Sequence, residues 1–229
     1  MKFLLTNDDG IDAPGLQALF EAATPLGESV LVAPTAALSG CSHRVTTDAP
    51  FRVCRRQPSR YAVEGTPADC VRVGLHRLVP DAAWVLSGIN NGGNLGADVH
   101  HSGTVAAVRE AVLHGLPGVA LSQYRKRGME FDWQRAAAWV AALLRELLRR
   151  TDVPGVFWNV NLPHLPPDAP DPEVIFCPLD PAPLPLNFRR DGDLWHYAGE
   201  YHNRRRGSGT DVDVCFGGNI AVTRMKLLH

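Results

Sequence analysis

The stretch KFLLTNDDGIDAPGLQALFEAATPLGESVLVAP, residues 2–34, decides the reading of the fold. Residues 2–6 are a short apolar run that breaks into an acidic, glycine-containing turn. From Pro14 onward, Leu16, Leu19, Phe20 and Ala23 recur at helical spacing. Pro14 suits the first helical turn, where its missing N–H costs nothing. Glu28–Ala33 is a second apolar run, closed by Pro34. Strand, helix and strand in so short a span are the unit from which parallel sheets are built.

The pattern repeats downstream. Thr66-Pro67-Ala68-Asp69 opens a helix carrying Val71, Val73, Leu75 and Leu78, and Trp84-Val85-Leu86 reads as a buried strand. A helix over 103–115 and a strand at Val119-Ala120-Leu121 follow. Residues 133–150 place Ala137, Val140, Ala141, Leu144 and Leu148 on one helical face, with Arg145, Glu146, Arg149 and Arg150 solvated. Phe157–Val160 is a further strand. This alternation over residues 1–162 predicts an α/β core, an open and mostly parallel sheet with helices on both faces.

Beyond that point the composition changes, because ten of the 18 prolines lie between Pro154 and Pro185, where helices cannot propagate. Residues 164–215 offer short β-like pieces such as Glu173–Cys177 and Leu194–Ala198, and the basic run Arg204-Arg205-Arg206. The expected organisation is a core over 1–162 and a proline-rich, hairpin-bearing extension over 163–229. Asn219–Thr223 is expected to return to the core as a last strand.

Composition narrows the class of protein. The 229 residues carry 23 Lys+Arg against 24 Asp+Glu, a net charge of −1, which argues against a protein that coats nucleic acid. No apolar run is long enough to span a membrane, and the amino terminus turns acidic too soon for a secretory signal. Five scattered cysteines with no CxxC point away from a disulfide framework or zinc cluster and toward a reducing cytoplasm.

Two stretches carry most of the chemistry. Asn7-Asp8-Asp9-Gly10 follows the first strand, where parallel sheets bind ligands, and adjacent carboxylates suit a hard divalent cation. They converge only if the chain bends, which Gly10 permits; the alternative is an Asx-turn capping the next helix. The loop Ser87-Gly88-Ile89-Asn90-Asn91-Gly92-Gly93-Asn94-Leu95-Gly96 again follows a strand and leads into Ser102-Gly103-Thr104 at a helix start. Its glycines allow close approach to an anion, and a helix amino terminus suits phosphate. Ser39-Gly40-Cys41-Ser42-His43 is a small polar loop able to donate to phosphate or to ligate a metal. Thr66-Pro67 is accounted for as a helix cap. GxxxxGK[ST], GxGxxG, GxSxG and HExxH are all absent.

Taken jointly, LLTNDDGIDAPG (4–15), LSGCS (38–42), EGTPADC (64–70), SGIN (87–90), NLGADV (94–99), HSGTVAA (101–107), NVNLP (159–163) and GTD (209–211) resemble the SurE family of metal-dependent nucleotide phosphatases. The resemblance implies a three-layer α/β/α sandwich with a Rossmann-like sheet and a C-terminal β-hairpin extension that exchanges between subunits of a homodimer or homotetramer. It implies one Mg²⁺ or Mn²⁺ per subunit on Asp8, Asp9, Ser39 and Asn90, and an oxyanion pocket of Gly40, Asn94, Ser102, Gly103 and Thr104. Leu38, Ala97, His101 and Arg224 depart from the family pattern; none is a mapped ligand, but Leu38 and His101 flank the site, where they bear on substrate preference and affinity.

The expected activity is hydrolysis of nucleoside 5′- or 3′-monophosphates. Asp8 would serve as nucleophile, or a carboxylate would activate water as general base. Two other readings stand beside it. One is exopolyphosphatase activity, with Arg204–Arg206 guiding a longer anion; the other is a non-catalytic nucleotide- or metal-binding protein using the same loops.

Overall fold

A computed structural model of the chain describes residues 1–150 and 154–227; the last two residues of the expected 163–229 extension lie outside them. In chain order the elements are β1 (Lys2–Thr6), α1 (Pro14–Ala23), β2 (Glu28–Pro34), β3 (Val53–Gln57), β4 (Arg60–Val63), α2 (Pro67–Val73), β5 (Trp84–Asn91) and α3 (Gly103–Leu113). They continue with β6 (Gly118–Gln123), α4 (Trp133–Leu147), β7 (Val156–Leu162), β8 (Val174–Phe176), β9 (Phe188–Asp191), β10 (Leu194–Tyr197), α5 (Asp211–Phe216) and β11 (Ile220–Lys226).

Nine strands form one sheet in the order β3-β4-β2-β1-β5-β6-β7-β11-β8. The six from β4 to β7 run parallel, while β3 and β11 pair antiparallel with their inner neighbours. Successive residues of the apolar strands feed opposite layers. Phe3 and Leu5 join the cluster under α1 and α4, whereas Leu4 joins the one under α2. Leu31 and Ala33 divide from Val30 and Val32 in the same way, and Leu86 from Val85. A strand covered on both faces must be apolar at every position, which is why these segments read as unbroken runs. The architecture is therefore the expected three-layer sandwich, and the antiparallel hairpin β9–β10 is present.

Helix starts follow local chemistry. Thr66 caps α2 through a capping box: its Oγ1 accepts from Asp69 N–H at 3.2 Å, and Asp69 Oδ2 accepts from Thr66 N–H at 3.0 Å. Burial alone would raise the Asp69 pKa, but hydrogen bonds from Thr46 and Thr66 outweigh it and hold this carboxyl below the usual range. Ser102 and Asp132 cap α3 and α4, accepting from Val105 and Arg135 N–H groups.

The structure adds what periodicity did not reveal. Strands β3 and β4 lie in what reads as one long loop; they are short, partly exposed and rich in arginine. Past residue 162, β8 and β11 extend the main sheet, and α5 packs Val212, Val214 and Cys215 against Leu95, Tyr124 and Ala221. All eight residues of the hairpin strands are exposed, Phe188, Leu194, Trp195 and Tyr197 among them.

Helix α1 crosses the sheet so closely that a Cβ on Gly15 would stand 1.9 Å from the Ile89 carbonyl oxygen. Alanine is the better helix former by about 1 kcal/mol, yet overpacking costs about 1–3 kcal/mol. Gly15→Ala is therefore expected to destabilise the chain in urea denaturation; a gain in stability would contradict this packing.

Candidate active site

Strand order reverses at β1: the chain steps to β2 and β4 on one side and to β5, β6 and β7 on the other. Such a reversal leaves a crevice beyond the strand carboxyl ends. The turn after β1 is closed by Asn7, whose Oδ1 accepts from Gly10 N–H at 3.2 Å while its Nδ2 donates to the Gly10 carbonyl at 2.9 Å. Gly10 takes φ +104°, beside the Ala36 backbone. The bend sends two neighbouring carboxylates to two different walls. Asp8 is buried and accepts from the Thr104 hydroxyl at the start of α3, and Asp9 accepts from Asn91 N–H at 2.9 Å at the end of β5.

The loop after β2 closes over this point. Leu38 N–H donates to the Asp8 carbonyl at 2.8 Å, and Ser42 donates through N–H to His101 O at 3.1 Å and through its hydroxyl to His100 O at 2.8 Å. Between these anchors Ser39 and Gly40 are exposed, with Gly40 at φ +71°. The start of α3 presses directly on the acidic turn. A Cβ on Gly103 would lie 2.8 Å from Cys41 Sγ and 2.9 Å from Asp8 Cβ, so only glycine fits.

Asn90 donates through Nδ2 to the Gly92 carbonyl at 2.8 Å, which leaves its Oδ1 as an acceptor available to a cation. Asn94 is buried, and its Nδ2 donates to Ser122 Oγ at 2.7 Å. Its main chain is gripped by Asn161 Oδ1 at 2.8 Å and Asn159 Nδ2 at 2.9 Å. The hydrogen bonds thus bring Asp8, Asp9, Thr104 and the segments bearing Ser39 and Asn90 together, while Asn94 is joined to β6 and β7. Ser122, Asn159 and Asn161 were not singled out from sequence. The signal existed: two asparagines at i and i+2 in an otherwise apolar strand share one buried face and must be hydrogen-bonded there.

The segment after the hairpin holds the β5–α3 loop from the other side. Arg204 is buried, pairs with Asp98 at 3.2 Å and donates to the Leu95 carbonyl at 3.1 Å, and Asp211 Oδ2 accepts from Gly96 N–H at 2.8 Å. This corrects, at Arg204, the reading of Arg204–Arg206 as a guide for a long anion, while Arg205 and Arg206 are exposed. Arg204 is a buried clamp, Arg206 pairs with Asp213 at 3.3 Å, and Arg205 alone of the three is outside these pairs.

The family model for survival protein SurE matches residues 3–178. The chain belongs to the SurE family. It is 55% identical over 228 residues to a curated protein of Nostoc sp. (strain PCC 7120), covering 99% of this chain and 100% of that one. It is 39% identical to a protein of Methylocella silvestris named 5'-nucleotidase SurE, covering 99% and 94%. Its fold is similar to the crystal structure of the SurE protein from Aquifex aeolicus, with a TM-score of 0.88 and 31% identity over all of this chain and 94% of that one.

The electrostatics of this SurE site are unusual for a protein interior. Among the described residues neither Asp8 nor Asp9 takes part in an ion pair. Burial pushes the Asp8 carboxyl up to about 6, against a lowering hydrogen bond from Thr104 and a further raising by Asp9; burial raises Asp9 as well. Among the described residues no three His, Cys, Asp or Glu side chains gather as a metal group. Two uncompensated carboxylates with neutral oxygens from Ser39 and Asn90 nevertheless form a donor set that fits a hard cation.

Asp8 holds its proton in the fold up to about pH 6, whereas an ordinary aspartate ionises near 3.8. Its ionisation costs the fold nothing below that lower value and the full amount above pH 6, about 3 kcal/mol. In chelator, the wild-type chain is expected to lose stability as pH rises from 4 to 6. Asp8→Asn, which still accepts from Thr104, is expected to lack that loss. Urea denaturation across the range checks this, and equal declines in both proteins would refute it.

Proposed function

We propose that this SurE chain is a phosphomonoesterase that hydrolyses nucleoside 5′- and 3′-monophosphates to nucleoside and phosphate. The observation that carries the reading is the pair of adjacent carboxylates, without a cationic partner among the described residues, packed against the amino end of α3. The relatives named 5'-nucleotidase SurE support the substrate class.

Asp8, Asp9, Ser39 and Asn90 would hold one divalent cation per subunit, Mg²⁺ or Mn²⁺, which would supply Lewis-acid polarisation of a phosphoryl oxygen. The rest is the work of this chain's own groups. The first-turn N–H groups of a helix lack intrahelical acceptors, so the helix start at Gly103 and Thr104 directs its dipole and donors at phosphate oxygens and at Asp8, with Ser102, Gly40 and Asn94 completing the cradle. The Thr104 hydroxyl and the Asn91 N–H fix the orientation of Asp8 and Asp9. With donors held by backbone and helix, charge developing on the phosphoryl group meets dipoles already in position. Asp8 and Asp9 are the catalytic candidates, either by attack of an Asp8 oxygen on phosphorus or by carboxylate removal of a proton from attacking water. The stereochemical course at phosphorus separates the two: an aspartyl-phosphate gives net retention through two displacements, and direct attack of water gives inversion.

Further features support the remaining parts of the reading. Exposed Phe188, Leu194, Trp195 and Tyr197 on the hairpin suit exchange of C-terminal segments in a homodimer or homotetramer. Five free cysteines suit a cytoplasmic setting, and no helix among the described residues is long and apolar enough to cross a membrane. A net charge of −1 suits a small anion rather than a nucleic acid duplex. The polyphosphate reading loses the arginine that Asp98 sequesters.

Asp9→Asn is expected to lower kcat/KM for adenosine monophosphate with Mn²⁺ by about a hundredfold or more, with an unchanged circular dichroism spectrum. Full activity in that variant would remove the cation assignment. Parallel assays of the wild type on short polyphosphate and on nucleoside monophosphates are expected to favour the latter.

A further inference from the structure

Ser39 and Gly40 lie on an exposed turn, although ligands need to be held. Gly40 has no atom within 4 Å of the position a Cβ would take. Backbone contacts fix the turn on one side, from Leu38 to Asp8 and from Ser42 to His100 and His101. The next side chain along the loop, His43, reaches away from the crevice to Glu110, two turns down α3, with Nε2 at 2.8 Å from Oε2. Glu110 is a buried carboxylate whose other oxygen meets His114 Nε2 at 3.0 Å and Arg72 Nε at 3.5 Å. It is thus a fixed point shared by α2 and α3. A hydrogen bond from His43 lowers the Glu110 pKa most, followed by burial, which opposes it, and His114.

We propose that His43 is a positioning residue: its bond to Glu110 anchors the 39–42 turn to helix α3, holding Ser39 and Gly40 in register with Asp8 and the helix start. The loop and α3 carry the two halves of the cradle, and this tether makes them one rigid unit. Partners that orient ligands from behind commonly contribute ten- to a hundredfold in metal affinity or activity. The proposal rests on the cation assignment given above, and the experiment separates the two.

His43→Ala is compared with the wild type, with His43→Gln, whose amide can still donate to Glu110, and with His114→Ala and Arg72→Ala, which touch Glu110 but not the loop. Hydrogen exchange of the Ser42 amide in chelator reports the turn without any metal. Calorimetric titration of Mn²⁺ alone reports the cation site. His43→Ala is expected to lose Ser42 protection and to weaken Mn²⁺ binding by about tenfold or more at an unchanged midpoint of thermal unfolding. His43→Gln is expected to restore both, and the two control variants are expected to match the wild type. Unchanged Ser42 exchange and Mn²⁺ affinity in His43→Ala would overturn the proposal, as would equal losses in the controls. Lost Ser42 protection with no Mn²⁺ binding by the wild type would overturn the cation assignment and, with it, the role proposed for the tether.

Discussion

A carboxylate buried without a cationic side chain is the constraint around which this molecule is arranged. Asp8 sits beyond the central strand, where the sheet order reverses, and loses the hydration that would keep it ionised. Close to it stand a hydroxyl, a thiol, a second carboxylate, backbone groups and the start of a helix. The Thr104 hydroxyl donates to it, Leu38 is tied to its carbonyl, and Gly103 leaves no room for a side chain. A protein seeking only stability would place an apolar residue there. Keeping the acid instead stores an unmet demand for positive charge at one point of the sheet.

The supports of that point come from well-separated parts of the chain. The loop after β5 is gripped from beneath by asparagines of β7 and from above by Arg204 and Asp211. The proline-rich stretch and the residues beyond it therefore do more than add a hairpin. They set the height of the loop that carries Asn94 and leads into α3. Arginine suits the clamp because its planar fork serves Asp98 and the Leu95 carbonyl together. The loop after β2 is held in the same manner, by backbone contacts at the crevice and by side chains such as His43 behind it.

Legibility in the sequence followed burial. Strands covered on both faces read as apolar runs because no position could be polar, and helices with a cap and a stripe were equally plain. β3 escaped because an edge strand needs no such run, β4 because it is only four residues long, and their arginines resemble a loop. The acidic turn and the glycine-rich loop stood out because two carboxylates, or several glycines, past a strand are costly unless used. Ser39 had no such mark: a hydroxyl in a small polar loop costs nothing, and only the joint resemblance of many motifs brought it forward.

What the sequence by itself determined is therefore local: strand, helix and turn, the glycine that lets the chain bend after the acidic pair, and the proline-rich stretch over 154–185 where helices do not propagate. What the tertiary structure alone decided is partnership. Thr104 meets Asp8 across 96 residues and Arg204 meets Asp98 across 106, contacts that depend on strand order and crossovers. Periodicity reports which face of an element is apolar, but carries no record of which distant element will cover it. Closing such long loops is set by the packing of the whole sheet, so the partners of Asp8 and Asp98 became visible only in the fold.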